Sequence, residues 1–142
     1  MLQFMNATDV RKEWSSVVDA TVRVKPQFFK RTRDYVFLSD FHFMEDLLAG
    51  YSYSATQMTE EDGSITLALN EIDLVENGKD EKDARKKLAS AILEYAEDYY
   101  SDFSYWESAP NRKSHIPYVF KALFIGDIQK IGESIRCQAG KN

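Results

Sequence analysis

The stretch from Asp80 to Phe103 constrains the fold more than any other part of the chain. Ala84, Leu88, Ala91, Ile92, Tyr95 and Tyr99 recur at helical spacing, Asp80 stands where a cap belongs, and no proline or glycine interrupts the run. A helix with one apolar stripe has to bury that stripe against a second layer. The residues upstream supply it. Tyr51–Glu60 is β-prone and alternating, Asp62-Gly63 is a two-residue turn signal, and Ser64–Leu69 alternates again with Ile65, Leu67 and Leu69 on one face. Hairpin and helix together predict an α+β fold, a small antiparallel sheet packed with helices. A third short strand is expected around Ile72 to Val75, broken by Asn77-Gly78. The long helix is expected to run into Tyr100–Phe103 and to loosen near Ser108–Asn111, where Pro110 breaks the pattern. A further helix starts at Ile116-Pro117, carries Val119, Phe120, Leu123 and Phe124, and stops at Gly126. A last short helix or turn holds Ile128, Ile131 and Ile135.

The first fifty residues read as a separate unit. Met1–Met5 is expected as a strand, and Asn6-Ala7-Thr8-Asp9 as a capping box. The helix behind it places Val10, Trp14, Val17, Val18 and Val22 at helical spacing, with Arg11 and Lys12 at its positive N-terminal end. Trp14 in that stripe reads as a core or dimer contact. Pro26 follows, then β-rich runs at Gln27–Arg31 and Tyr35–Leu38. Ser39-Asp40 caps a second helix of about Asp40–Ala49, which Gly50 stops. The order is βαββα. So few strands are marginal alone, so the unit is expected to pair with a second copy as a homodimer.

Bulk properties narrow the function. The chain has 142 residues, 44% hydrophobic and 29% charged, which suits one globular domain or two small units. No apolar run approaches the roughly 20 residues of a membrane helix, so no membrane partner is expected. The N-terminus lacks the basic-then-apolar pattern of a signal peptide. The single cysteine, Cys137, fits a reducing cytoplasm and reads as a small apolar residue. Net charge is −5, yet residues 1–33 hold seven Lys/Arg against three acids, a local +4, whereas residues 51–142 carry −5. A basic head on an acidic body suits a protein that touches phosphate with one end; the alternative is a solvated surface.

Enzyme chemistry finds little support. His42 and His115 stand in no metal-ligand spacing and read as helix-terminus or surface residues. Glu60-Glu61-Asp62 precedes a turn and is explained by solvation. There is no glycine-rich phosphate loop, no Ser/His/Asp set and no Cys/His pair close in sequence, so neither catalytic residues, metal nor cofactor are expected. Tyr95, Tyr99, Tyr100, Phe103, Tyr105 and Trp106 fit either a core at helical spacing or an interface centre.

The order and residues of the first fifty positions resemble the N-terminal module of the Phd/YefM antitoxins, and residues 53–100 loosely resemble the HicB antitoxin fold. The first resemblance implies a DNA-binding and dimerisation module at 1–50. The second makes 51–142 a HicB-like α+β region and partner-binding body. The Phd/YefM resemblance implies an antitoxin of a type II toxin–antitoxin pair. Such a protein binds and neutralises a cognate toxin, here of the mRNA-cleaving RelE class, and represses its own operon as a dimer on operator DNA. The family's acidic–Ala–Arg signature matches Arg11 within Thr8-Asp9-Val10-Arg11, and its arginine at the end of the first hairpin strand corresponds to Lys30-Arg31. Arg11 and Arg31 are then expected to read or grip the operator, with Lys12, Lys30 and Arg33 on phosphates and Thr8 adding a hydroxyl donor. The chain departs from the family where its hairpin turns on Thr32-Arg33-Asp34 without a glycine, and where an ordered body replaces the flexible toxin-binding tail. Which part of 51–142 meets a toxin is unknown from the sequence. The competing reading is a ligand-binding or structural domain in which the N-terminal unit only dimerises.

Overall fold

The computed structural model describes residues 1–140 and divides into two compact units, Met1–Leu47 and Leu48–Asn142. The architecture is α+β, as the patterning predicts.

The N-terminal unit runs β1 (Met5–Asn6), α1 (Ala7–Lys12), α2 (Trp14–Arg23), β2 (Gln27–Arg31), β3 (Asp34–Leu38) and α3 (Phe41–Leu48), whose last residue belongs to the second unit. Its sheet has the order β1-β2-β3, with β1 parallel and β3 antiparallel to β2. The opening strand is only two residues long, because it pairs through Met5 and Asn6 alone before Asn6 caps α1. The expected single helix is two. The chain bends at Glu13, whose φ of −107° and ψ of 31° leave the helical region, although its N–H still reaches the carbonyl of Asp9 at 2.9 Å. Val10 and Val17 are buried, but Trp14 is 51% exposed and Val22 is exposed as well, so Trp14 is no core residue of the chain. Asp40 caps α3 as expected, its carboxylate accepting from the N–H of Phe43 at 2.9 Å.

The second unit carries β4 (Ser54–Thr59), β5 (Ile65–Leu69), β6 (Val75–Gly78), α4 (Glu81–Ser101), α5 (Phe103–Ser108), a 3-10 turn at Lys113–His115, α6 (Ile116–Ile125), α7 (Ile128–Ser134) and β7 (Arg136–Ala139). The strand order is β6-β5-β4-β7, antiparallel except for β7, which runs parallel to β4. The hairpin turn holds one residue more than the two-residue expectation. Glu60 pairs back to Ser64, Gly63 takes a φ of +86°, and Asp62 accepts from the N–H of Ser64 at 2.9 Å. The third strand sits three residues later than predicted: Ile72 is buried in the connection, and Asn77-Gly78 completes the strand. Gly78 is needed there because a Cβ would stand 2.3 Å from the backbone nitrogen of Ala84, where α4 begins.

The core lies between this sheet and the helices. Asp80 caps α4 by accepting from the N–H of Asp83 at 2.8 Å. Ala84, Leu88, Ala89, Ile92, Ala96 and Tyr99 are buried along α4; Ala89 and Ala96, not Ala91, complete the expected stripe. They pack with Tyr53, Ala55, Leu67, Leu69, Val119, Ala122, Ile131 and Ile135. Each Leu, Ile or Val side chain so buried contributes about 1.5–3 kcal/mol, and each alanine methyl less. The fully buried Tyr53 donates to the carbonyl of Tyr118 at 2.5 Å, and burial raises its phenol pKa. Both oxygens of Glu71 accept from Ser54, one from its N–H at 2.7 Å and one from its hydroxyl, fastening the connection after β5 to β4.

β7 is absent from the sequence reading. Arg85 explains its placement: one guanidinium nitrogen donates to the carbonyls of Gly132 (2.8 Å) and Ile135 (2.6 Å), the other to Glu81 and to Sγ of Cys137. This gives the carbonyl of Gly132 a second donor beside the N–H of Ile135, satisfies the carbonyl of Ile135 where α7 ends, and sets the chain to pair with β4. α6 begins with Pro117 in its first turn and ends at Gly126, with φ +65°, as predicted. The long helix stops at Ser101 rather than reaching Phe103. His115 differs from its reading as a surface residue: it is buried, with Nδ1 2.7 Å from the hydroxyl of Tyr95.

Two outcomes follow. Gly78→Ala should lower unfolding stability by about 1–3 kcal/mol through overpacking, read as a smaller urea midpoint with an unchanged slope; an unaltered midpoint would mean that α4 can move aside. At His115, burial and then the guanidinium of Arg112 lower the imidazole pKa against the opposing pull of Asp73. The unfolded chain therefore takes up this proton first as pH falls below about 6.5. The stability contributed is complete above that value and declines as pH drops through the folded pKa. Urea melts between pH 7.5 and 5.5 should show a steeper loss for the wild type than for His115→Asn.

Candidate nucleic-acid interface

The register of the N-terminal sheet decides where the expected DNA-binding residues stand. Asn6 pairs with Lys30, so the start of α1 lies beside the end of β2. Asn6 caps α1 by accepting from the N–H of Thr8 at 2.7 Å. That N–H is therefore occupied, and the exposed hydroxyl is what Thr8 can offer a ligand. Arg11 and Lys12 are not at the N-terminal end of a long helix. They occupy the last turn of α1, beside the bend at Glu13, where their charges oppose the negative end of the dipole favourably. A helix N-terminus consequently lends these two cations no help toward an anion; they offer only their own side-chain charges.

Alternation along β2 and β3 sorts the remaining candidates between two faces. Phe29 and Arg31 share one face with Val36 and Asp34, and Phe28 and Lys30 share the other with Phe37 and Tyr35. A depression of about 440 Å³ lined by Ala7, Val10, Arg11, Trp14 and Phe29 shows that α1 covers the Phe29 face. Arg11 and Arg31 thus belong to the helix-bearing face, Lys30 to the opposite one, and Arg33 to the turn. The turn is a two-residue connection, Thr32-Arg33, between the paired residues Arg31 and Asp34. Thr32 takes φ +54°, a conformation that favours glycine and that this hairpin adopts without one.

Two of the seven cations in residues 1–33 are already paired. Arg23 bonds Asp19 at 3.0 Å, and Arg31 bonds Asp34 at 3.1 Å. Both pairs are largely exposed and so are held weakly. Arg11, Lys12, Lys25, Lys30 and Arg33 have no ion pair among the described residues.

Sequence reasoning missed a second feature of the unit. An aromatic series, Phe4, Tyr35, Phe28, Phe37 and Phe43, runs along the sheet face opposite α1 with ring centroids 4.8–5.8 Å apart. Tyr35 is 66% exposed, and Val36 and Phe37 are exposed beside it on the edge strand β3. Alternation within Gln27–Arg31 and Tyr35–Leu38 signals the Phe28, Tyr35 and Phe37 part; Phe4 and Phe43 come from elements whose faces the sequence does not reveal.

Residues 1–137 match the family model described as PHD-like, antitoxin of toxin–antitoxin, RelE/RelB, TA system. The chain belongs to this antitoxin family. The antitoxin is also similar to a crystal structure, at 1.80 Å resolution, of an antitoxin part of a proposed toxin/antitoxin system from Syntrophomonas wolfei subsp. wolfei. The two share 37% identity and a TM-score of 0.92, over 98% of this chain and 100% of that one. Among curated proteins no sequence matches significantly. Both findings make the antitoxin a regulatory protein rather than an enzyme. Among the described residues no helix is long and apolar enough to cross a membrane, and no group of His, Cys, Asp or Glu is placed to hold a metal.

Proposed function

We propose that this antitoxin dimerises through its N-terminal unit, binds operator DNA with that dimer to repress its own operon, and neutralises a cognate toxin of the RelE class. In this reading the N-terminal unit is a Phd/YefM-type module, and the body is a HicB-like sheet extended by β7 and the C-terminal helices. The protein acts in the cytoplasm. The observation that carries the dimer is the poverty of the first unit's own core. Of the described residues 1–47, only Val10, Val17 and Thr21 are buried, while Tyr35, Val36 and Phe37 lie exposed in succession on an edge strand. An uncovered apolar edge is a pairing surface, and a second copy offers an identical one.

The DNA reading rests on the five cations without ion pairs and on the weakly held Arg31. Arg11 and Arg31, on one face, are the candidates for base or phosphate contact; Lys12, Lys30 and Arg33 suit phosphates, and Thr8 supplies a hydroxyl. Pairing with Asp34 does not oppose this, since a phosphate can replace an exposed carboxylate partner.

Light scattering should give twice the chain mass in dilute buffer, and Tyr35→Lys combined with Phe37→Lys should halve it. In gel shifts with the DNA upstream of its own gene, Arg11→Ala and Arg31→Ala should each weaken binding by about 10-fold or more and lower the salt dependence. Asp34→Ala should tighten it by releasing Arg31. A wild-type monomer that ignores this DNA would overturn the reading.

A further inference from the structure

The C-terminal half of α4 and the whole of α5 form a surface unlike the rest of the molecule. Residues 88–111 contain five carboxylates (Glu94, Glu97, Asp98, Asp102 and Glu107) and no Lys or Arg, so this stretch alone carries a charge equal to that of the entire chain. None of the five is in an ion pair among the described residues. Glu94, Glu97 and Asp98 approach the C-terminal end of a 21-residue helix whose last turn has no basic residue. The helix dipole disfavours anions there, so helix stability does not account for them.

Exposed aromatic side chains belong to the same stretch. Tyr100 is 56% exposed and Tyr105 62% exposed, each held edge-on by an underlying ring, Phe120 and Trp106 respectively. Tyr100 follows Glu97 at the three-residue spacing that makes helix neighbours. Along α4 a groove of about 250 Å³ is lined by Ser90, Leu93, Glu94, Glu97, Asp98 and Ile128, the last 37% exposed. An exposed ring held in place one turn from a carboxylate, as Tyr100 is from Glu97, is suited to arginine and lysine side chains, which the pair meets by charge and by cation–π contact.

We infer that this α4–α5 face is where the toxin docks, and that the surface it receives is the toxin's cationic RNA-binding face. The inference rests on the proposed toxin-neutralising function and names the surface that performs it. An mRNA-cleaving enzyme has to hold a polyanion, so its working face carries an excess of basic side chains. A carboxylate-rich surface complements that face and competes with RNA for it. Inhibition then needs no contact with the catalytic groups themselves.

The test uses the full chain and the protein encoded by the reading frame beside its gene, with affinity measured by calorimetry. The wild-type pair should bind, with an affinity that falls as salt is raised. Glu94→Lys, Glu97→Lys and Asp98→Lys together should weaken it by about 100-fold or more, and Tyr100→Ala by about 30-fold. Lys82→Glu with Lys86→Glu, on the first half of the same helix, should cause no loss. Thermal melts monitor folding; if the charge reversal unfolds the chain, the near-isosteric Glu94→Gln, Glu97→Gln and Asp98→Asn set should still cost about 10-fold. A single-stranded RNA bound by the neighbouring protein should displace the antitoxin. Wild-type binding that all these variants retain within twofold would remove the surface, and a ternary complex with RNA would remove the RNA face as its partner. No binding by the wild type would instead overturn the toxin-neutralising reading and this inference with it.

Discussion

Burial of the α4 stripe against β5 and β6 is the interaction on which the body of this antitoxin depends. Ala84, Leu88, Ile92 and Tyr99 are all excluded from solvent, and the remaining helices pack around the same helix. The small residues matter as much as the large ones. Ala84 lets the start of α4 lie against Gly78, where even one methyl group would meet backbone. Ala89 and Ala96 keep the middle of α4 close to its neighbours. The helix is fixed at its N-terminal end by Asp80 and by Arg85, and the carboxylates of its distal half, Glu94, Glu97 and Asp98, are in no ion pair among the described residues.

The two units solve the problem of stability differently. The body has an internal core, closed polar contacts and no buried side-chain nitrogen or oxygen atom without a partner among the described residues. The N-terminal unit has almost no interior and leaves its aromatic side chains at the surface. An isolated unit of that kind gains too little apolar burial to offset its conformational entropy. Association would supply the missing burial, and it would make any function of the cationic hairpin depend on assembly.

Charge is distributed along the same division. Cations gather on α1 and the β2–β3 turn, whereas the run from Leu88 to Asn111 is wholly acidic among its ionised side chains. A molecule that offers one sign of charge at each of two surfaces can recognise two partners of opposite charge without cross-competition. The proposed pair of partners, operator DNA and a toxin that itself holds a polyanion, would call for such an arrangement.

Local patterning alone determined much of the architecture. The caps at Asn6, Asp40 and Asp80, the stop at Gly126, the two hairpins and the stripe of α4 follow from side-chain chemistry acting within a few residues, and all are legible as such. The tertiary structure decided what depends on partners distant in sequence. β7 exists because Arg85 and β4 receive it, not because Arg136–Ala139 alternates. His115 is buried because Tyr95 and the neighbouring aromatic side chains enclose it. The bend at Glu13 moved Arg11 and Lys12 to the end of a short helix, although the apolar spacing reads straight through it. Among the site residues, types and strand positions were readable, but the pairing register alone set Arg31 against Asp34 and Lys30 on the opposite face. Spacing reports which residues share an element; only packing reports what that element faces.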